Sequence, residues 1–125
     1  MKYKIFEDGT IKEVLNRMLK EGYIPCNSET TYKYRKDNNL KKWFDTSTLY
    51  IKGKFRDATL SELKNIEKTY DKGEHLVCLD DDNSGFYGND SINDIGFDGD
   101  TSINNCGRFL GVKKWYITAI NVGCH

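Results

Sequence analysis

Between Gly85 and Asn105 the chain nearly repeats itself, and that stretch limits where a core can come from. Residues 85–94 read GFYGNDSIND and residues 96–105 read GFDGDTSINN, so Gly85/Gly96, Phe86/Phe97, Gly88/Gly99, Ser91/Ser102, Ile92/Ile103 and Asn93/Asn104 match at an offset of eleven positions. Each copy holds two glycines, an aromatic, an aliphatic and a cluster of Asn, Asp, Ser or Thr. That is loop chemistry with two apolar anchors. Such residues hold a ligand or an ion more readily than they build a core, so the core must be drawn from the segments on either side.

Those segments give one domain spanning residues 1–125, since 125 residues suffice for one core and are too few for two. The formal net charge is zero, but residues 80–105 carry seven Asp and no Lys or Arg, which leaves the remainder net basic. A duplex nucleic-acid face is not expected, because it needs clustered positive charge for counterion release. Cys26, Cys78, Cys106 and Cys124 are widely spaced with no CxxC pair. The opening MKYKIFEDGT has no signal-peptide pattern, and no segment is long and apolar enough to span a bilayer. The expectation is a cytoplasmic protein with reduced thiols, no membrane contact and no cofactor.

Residues 2–7 predict a short strand that turns at Asp8–Gly9. Thr10 and Glu13 then have capping-box spacing, Ile11, Val14, Leu15, Met18 and Leu19 share one face, and Gly22 stands at a left-handed C-terminal position, which predicts a helix over 11–21. Pro25 favours an extended entry, Thr31–Lys36 reads as a strand, and Thr48–Phe55 as another with Leu49, Ile51 and Phe55 on one side. The conformation of residues 37–46 is left open. Thr59 and Glu62 repeat the capping-box spacing ahead of Leu60, Leu63, Ile66 and Tyr70, with Gly73 closing a helix from Leu60 to about Asp71. His75–Asp80 is the best buried strand, and Arg108–Val112 and Trp115–Asn121 read as two more. This order lacks regular βαβ spacing. It predicts an α+β fold, an antiparallel sheet with two amphipathic helices on one face and a long Gly/Asn/Asp-rich loop region. The expected core includes Leu15, Leu19, Ile51, Leu63, Ile66, Val77, Leu79, Trp115 and Ile117, and the abundance of aromatics points to a homo-oligomer.

Asp80, Asp82, Ser84 and Gly85 match the start of a calcium loop, but the twelfth position is Ser91 instead of Glu and a strand pattern precedes it, so no metal site is assigned. Arg108, just past the second copy, and Arg56, after the strand ending at Phe55, are candidates for bidentate phosphate recognition. Phe86 and Tyr87 are candidates to stack on a base or sugar, and Asn93 and Asp94 to bind hydroxyls. His75 and His125 are poorly placed as general bases, and no Ser or Cys has a nucleophile context, so a binding protein is expected in preference to an enzyme.

The layout of an amphipathic helix, the extended segment KEGYIP, a second helix, and a glycine- and Asn-rich region ending in GRFLGV resembles the phage-encoded Thoeris anti-defence proteins. Those are small cytoplasmic α+β sponges that sequester cyclic ADP-ribose isomers made by bacterial TIR-domain defence enzymes. The resemblance implies an oligomer with messenger pockets at subunit interfaces and an Arg–aromatic–Asn recognition set, for which Arg56, Phe86, Tyr87, Asn93, Asp94 and Arg108 are the candidates on chemical grounds. The competing expectations are a calcium- or carbohydrate-binding module and an acidic inhibitor of a basic protein.

Overall fold

The computed structural model describes residues 3–80 and 102–113. In chain order its elements are β1 (Tyr3–Phe6), α1 (Ile11–Lys20), β2 (Tyr23–Pro25), α2 (Ser28–Asp37), β3 (Phe44–Ile51), β4 (Lys54–Asp57), α3 (Leu60–Lys64), α4 (Ile66–Asp71), β5 (His75–Leu79) and β6 (Phe109–Lys113). The fold is α+β, and its sheet is mixed where a purely antiparallel one was expected. Gly111 of β6 pairs antiparallel with both Lys4 of β1 and Pro25 of β2, so β1 and β2 flank β6 on opposite sides. Leu49 of β3 likewise pairs with Arg56 of β4 and Leu76 of β5. The two halves of the sheet meet in parallel at one register pair, Asp45 and Phe109.

Local chemistry explains most boundaries. Both expected capping boxes form, Thr10 with Glu13 and Thr59 with Glu62, and Gly22 and Gly73 take the positive φ expected of C-terminal caps. The helix expected over residues 60–71 is broken at Asn65, whose φ of −118° and ψ of 45° end α3 and start α4. The segment Thr48–Phe55 is the larger part of a hairpin. Lys52 and Gly53 both have positive φ, a two-residue turn that reverses the chain, so Phe55 lies 44% exposed on β4 while Leu49 is fully buried on β3.

The main correction concerns residues 31–36, which lie inside α2. Asn27 caps that helix by accepting the Thr30 amide at 2.9 Å, and its buried positions are Ser28, Thr31 and Arg35. These are polar at helical spacing, so no apolar stripe announces the helix, and the tyrosines between them mimic a strand. Phe44, within the stretch left open, begins β3.

Strand alternation sorts the buried residues onto two faces. Phe6, Leu49, Leu76 and Phe109 pack with Ile11, Val14, Leu15 and Met18 of α1 and with Leu63, Ile66 and Tyr70 of α3 and α4. The two helices expected on one face therefore lie there. Leu110, Val112 and Phe44 point the other way, where Tyr34 of α2 meets them, and Val77 and Leu79 meet Tyr32. Of the expected core, Leu15, Leu63, Ile66, Val77 and Leu79 are buried, Leu19 and Ile51 pack partly buried against the main cluster, and Trp115 and Ile117 lie outside the described residues.

Candidate functional site

One edge of β3 takes three partners in succession. At its start Asp45 donates its amide to Arg108 O at 2.7 Å. In the middle Ser47 donates to Cys26 O at 2.9 Å, and Cys26 in turn donates to Leu110 O at 2.8 Å. At its end Thr48–Ile51 pair with β4. The chain leaving β2 is thus inserted between β6 and β3, and beyond Cys26 the strands β2 and β4 have no ladder joining them among the described residues. A cleft of about 440 Å³ opens there, lined by Tyr3, Ile24, Pro25, Cys26, Asn27, Thr30, Ser47, Asp57, Ala58, Leu60, Leu63 and Val112.

A bulge in β3 shapes its floor. Between Asp45 and Leu49 the partner strand advances only from Cys78 to Leu76, so β3 carries extra residues that the ladder with β5 cannot pair. Side chains satisfy what the ladder leaves open: Thr46 Oγ1 donates to Val77 O at 2.9 Å, and Thr48 Oγ1 accepts from the Ser28 amide at 2.9 Å while sharing a 2.6 Å hydrogen bond with Ser28 Oγ. Ser47 is 6% exposed and lines the cleft, yet its hydroxyl makes no hydrogen bond with a described residue. Across the mouth Asn27 Nδ2 donates to Asp57 Oδ2 at 3.3 Å. Among the described residues no Lys or Arg lines the cleft.

Burial pushes the Cys26 thiol up to about 12, so near neutrality it stays a thiol and is a poor nucleophile. Burial also lowers the pKa of His75, whose ring packs edge-on against Tyr70 at 5.0 Å and which does not line the cleft. Cys26, Cys78 and Cys106 are free, and no group of three or more His, Cys, Asp or Glu residues among those described is arranged to hold a metal ion.

The two arginines expected to meet phosphate are not brought together. Arg56 lies opposite Leu49 near the end of β3, whereas Arg108 sits beside its start. The Arg56 guanidinium donates to Glu62 at 2.8 Å, which holds that carboxyl well below the usual range, at about 2. Arg108 is tied more closely: Nε donates to Glu7 at 3.0 Å, Nη1 to Trp43 O at 3.0 Å, and the guanidinium lies 4.3 Å from the centre of the Trp43 ring. Its amide donates to the Asp45 carboxylate at 3.0 Å. Phe86, Tyr87, Asn93 and Asp94 lie outside the described residues.

The end of the second repeat copy is described, and it has a structural task. Asn105 O accepts the Ile11 amide at 2.8 Å and Ile103 O accepts that of Lys12 at 3.3 Å, so two amides at the start of α1 are satisfied by this segment. Ile103 packs against the main core cluster, as expected of an aliphatic anchor.

Sequence reasoning missed Asn27, Thr30, Ser47 and Asp57. One signal was present: Asp45–Thr46–Ser47–Thr48 is a polar run between Phe44 and Leu49, and a strand that buries such a run needs partners for it. No helix among the described residues is long and apolar enough to cross a membrane. No protein-family model, curated protein or solved structure matches the chain.

Proposed function

We propose that the protein binds and sequesters a small nucleotide second messenger, a cyclic ADP-ribose isomer, and releases it chemically unchanged, as a cytoplasmic counter to TIR-based antiphage defence. The observation that carries this reading is the cleft between β2 and β4. Its volume of about 440 Å³ falls within the range of small-molecule sites, roughly 300–1,000 Å³, and an apolar wall with a few convergent polar groups is their usual composition. Sequestration also suits a lining whose thiol is unreactive and whose hydroxyl, Ser47, has no base hydrogen-bonded to it. On this reading the diphosphate of such a ligand would be met by arginine. Self-association belongs to the same proposal.

A second reading is favoured by the absence of any cation among the described residues of the lining, which suits a neutral, hydroxyl-rich ligand such as a carbohydrate. One experiment separates the two. The protein is incubated with a panel of cyclic nucleotides and sugars, washed, denatured, and the released molecules identified by mass spectrometry. Intact messenger recovered only after denaturation supports sequestration. A degraded messenger means catalysis, and retention of sugars alone supports the second reading.

A further inference from the structure

We infer that the outer edge of β4 is a docking strand for an extended acidic peptide of a partner protein, which adds to the sheet antiparallel, with an apolar side chain opposite Phe55 and an acidic one opposite Lys54. This goes beyond the proposed function and does not depend on it.

β4 pairs with β3 along one side, and no described strand pairs with the other. The ladder fixes which way its backbone groups point. Ala58 donates its amide to Ser47 O at 2.8 Å, so, counting back by twos, Arg56 and Lys54 turn their N–H and C=O toward β3, while Phe55 and Asp57 turn theirs away. The Asp57 carbonyl accepts from Arg56 Nη1 at 3.1 Å. Phe55 N–H, Phe55 C=O and Asp57 N–H are left with no hydrogen-bond partner among the described residues. An added antiparallel strand would use all three, two of them at the residue facing Phe55. All four residues of β4 are exposed, so nothing described covers this edge.

Side-chain alternation puts Phe55 on one face and Lys54 with Arg56 on the other. Phe55 is 44% exposed and leans on Tyr50, its cross-strand neighbour, with ring centres 5.4 Å apart. Arg56 is already shared with Glu62. Lys54, like Lys52 in the adjoining turn, has no carboxylate within ion-pair distance among the described residues.

Charge decides the occupant. A lysine on a short edge strand guards it against neutral strands, but the same ammonium admits a strand that sets an acid opposite it, since opposite charges across a ladder stabilise and like charges destabilise. A second copy of β4 fits poorly for that reason. Two identical edges pair antiparallel about a twofold axis normal to the sheet. Centred on Phe55, that pairing sets Lys54 opposite Arg56 across the interface; centred on Lys54, Arg56 or Asp57, it sets that residue opposite itself.

The test is an NMR titration of the full chain with the acetylated, amidated peptide Thr-Glu-Val-Glu-Thr, the same peptide N-methylated at its valine, and a version with Lys in place of both Glu. The parent peptide is expected to shift the Phe55 and Asp57 amides saturably. N-methylation removes the bond to Phe55 C=O and should weaken binding about tenfold or more, and the Lys version should bind about as weakly. Lys54→Glu alters an exposed side chain without a described partner, so it should fold normally and reverse the preference between the Glu and Lys peptides. No saturable shift at Phe55 and Asp57, equal binding of the N-methylated peptide, or an unchanged preference in Lys54→Glu overturns the inference. So does a wild-type dimer in which those two amides are already protected from exchange, because the edge would then belong to a second copy.

Discussion

Adding a single methyl group at Gly107 tests whether the end of the repeat is docked on α1. A Cβ built there lies 2.8 Å from Ile11 Cα, 3.1 Å from Ile11 N and 3.2 Å from Thr10 O. All three are backbone atoms in the first turn of a capped helix, so none can swing aside as a side-chain end would. Relief requires residues 103–107 to move off the helix, which strains three hydrogen bonds: Ile11 N to Asn105 O, Lys12 N to Ile103 O and Gly107 N to Gly9 O. Forcing an extra carbon into a packed site costs about 1–3 kcal/mol, and each strained hydrogen bond adds up to about 1 kcal/mol. Gly107→Ala is therefore expected to lose roughly 3 kcal/mol of stability, or about 10 °C in Tm for a chain of this size. Urea denaturation with Gly111→Ala as the comparison is the appropriate assay. A Cβ at Gly111 also meets an atom at 2.8 Å, but that atom is Met18 Cε, the end of a flexible side chain, with the Phe6 ring next at 3.1 Å. The backbone clash should cost more. A Gly107→Ala protein within about 0.5 kcal/mol of wild type, or more stable than Gly111→Ala, would refute the docking.

Glu62 yields a pH prediction. Its carboxyl is held at about 2, below the ordinary 4.5, chiefly by the hydrogen bond from Arg56, so the stability this supplies is fully present above about pH 4.5 and is lost as pH falls toward 2. Wild type and Arg56→Met should thus differ most above pH 4.5 and converge on acidification, and a gap that does not narrow in urea titrations would count against it. Arg108→Ala removes the hydrogen bonds to Glu7 and to Trp43 O and the contact with the Trp43 ring, at an expected cost of about 2–3 kcal/mol. Unchanged stability together with weakened ligand binding would instead return Arg108 to the phosphate role that its sequence position suggested.

The elements whose identity could be read from the sequence are those specified by neighbours in the chain. Thr10 with Glu13, Thr59 with Glu62, and the stripe Ile11, Val14, Leu15 and Met18 act across three or four residues, and all appear in the structure as read. The helix α2 escaped because its buried side is Ser28, Thr31 and Arg35, residues that mark burial only once Thr48 and the sheet are in place to receive them. The hairpin of β3 and β4 was read as one strand over 48–55, because the turn at Lys52 and Gly53 takes its positive φ only where the two strands pair. The cleft was beyond sequence reading for the same reason, carried further. It exists because Cys26 bonds to Leu110 on one side and Ser47 on the other, so that residues far apart in the chain come to line one wall. Local sequence determined which segments coil and where they stop. The order of partners along one edge of β3, and with it the open hydroxyl of Ser47, was decided by tertiary structure, because a strand's unpaired amides accept whichever neighbour the rest of the core delivers.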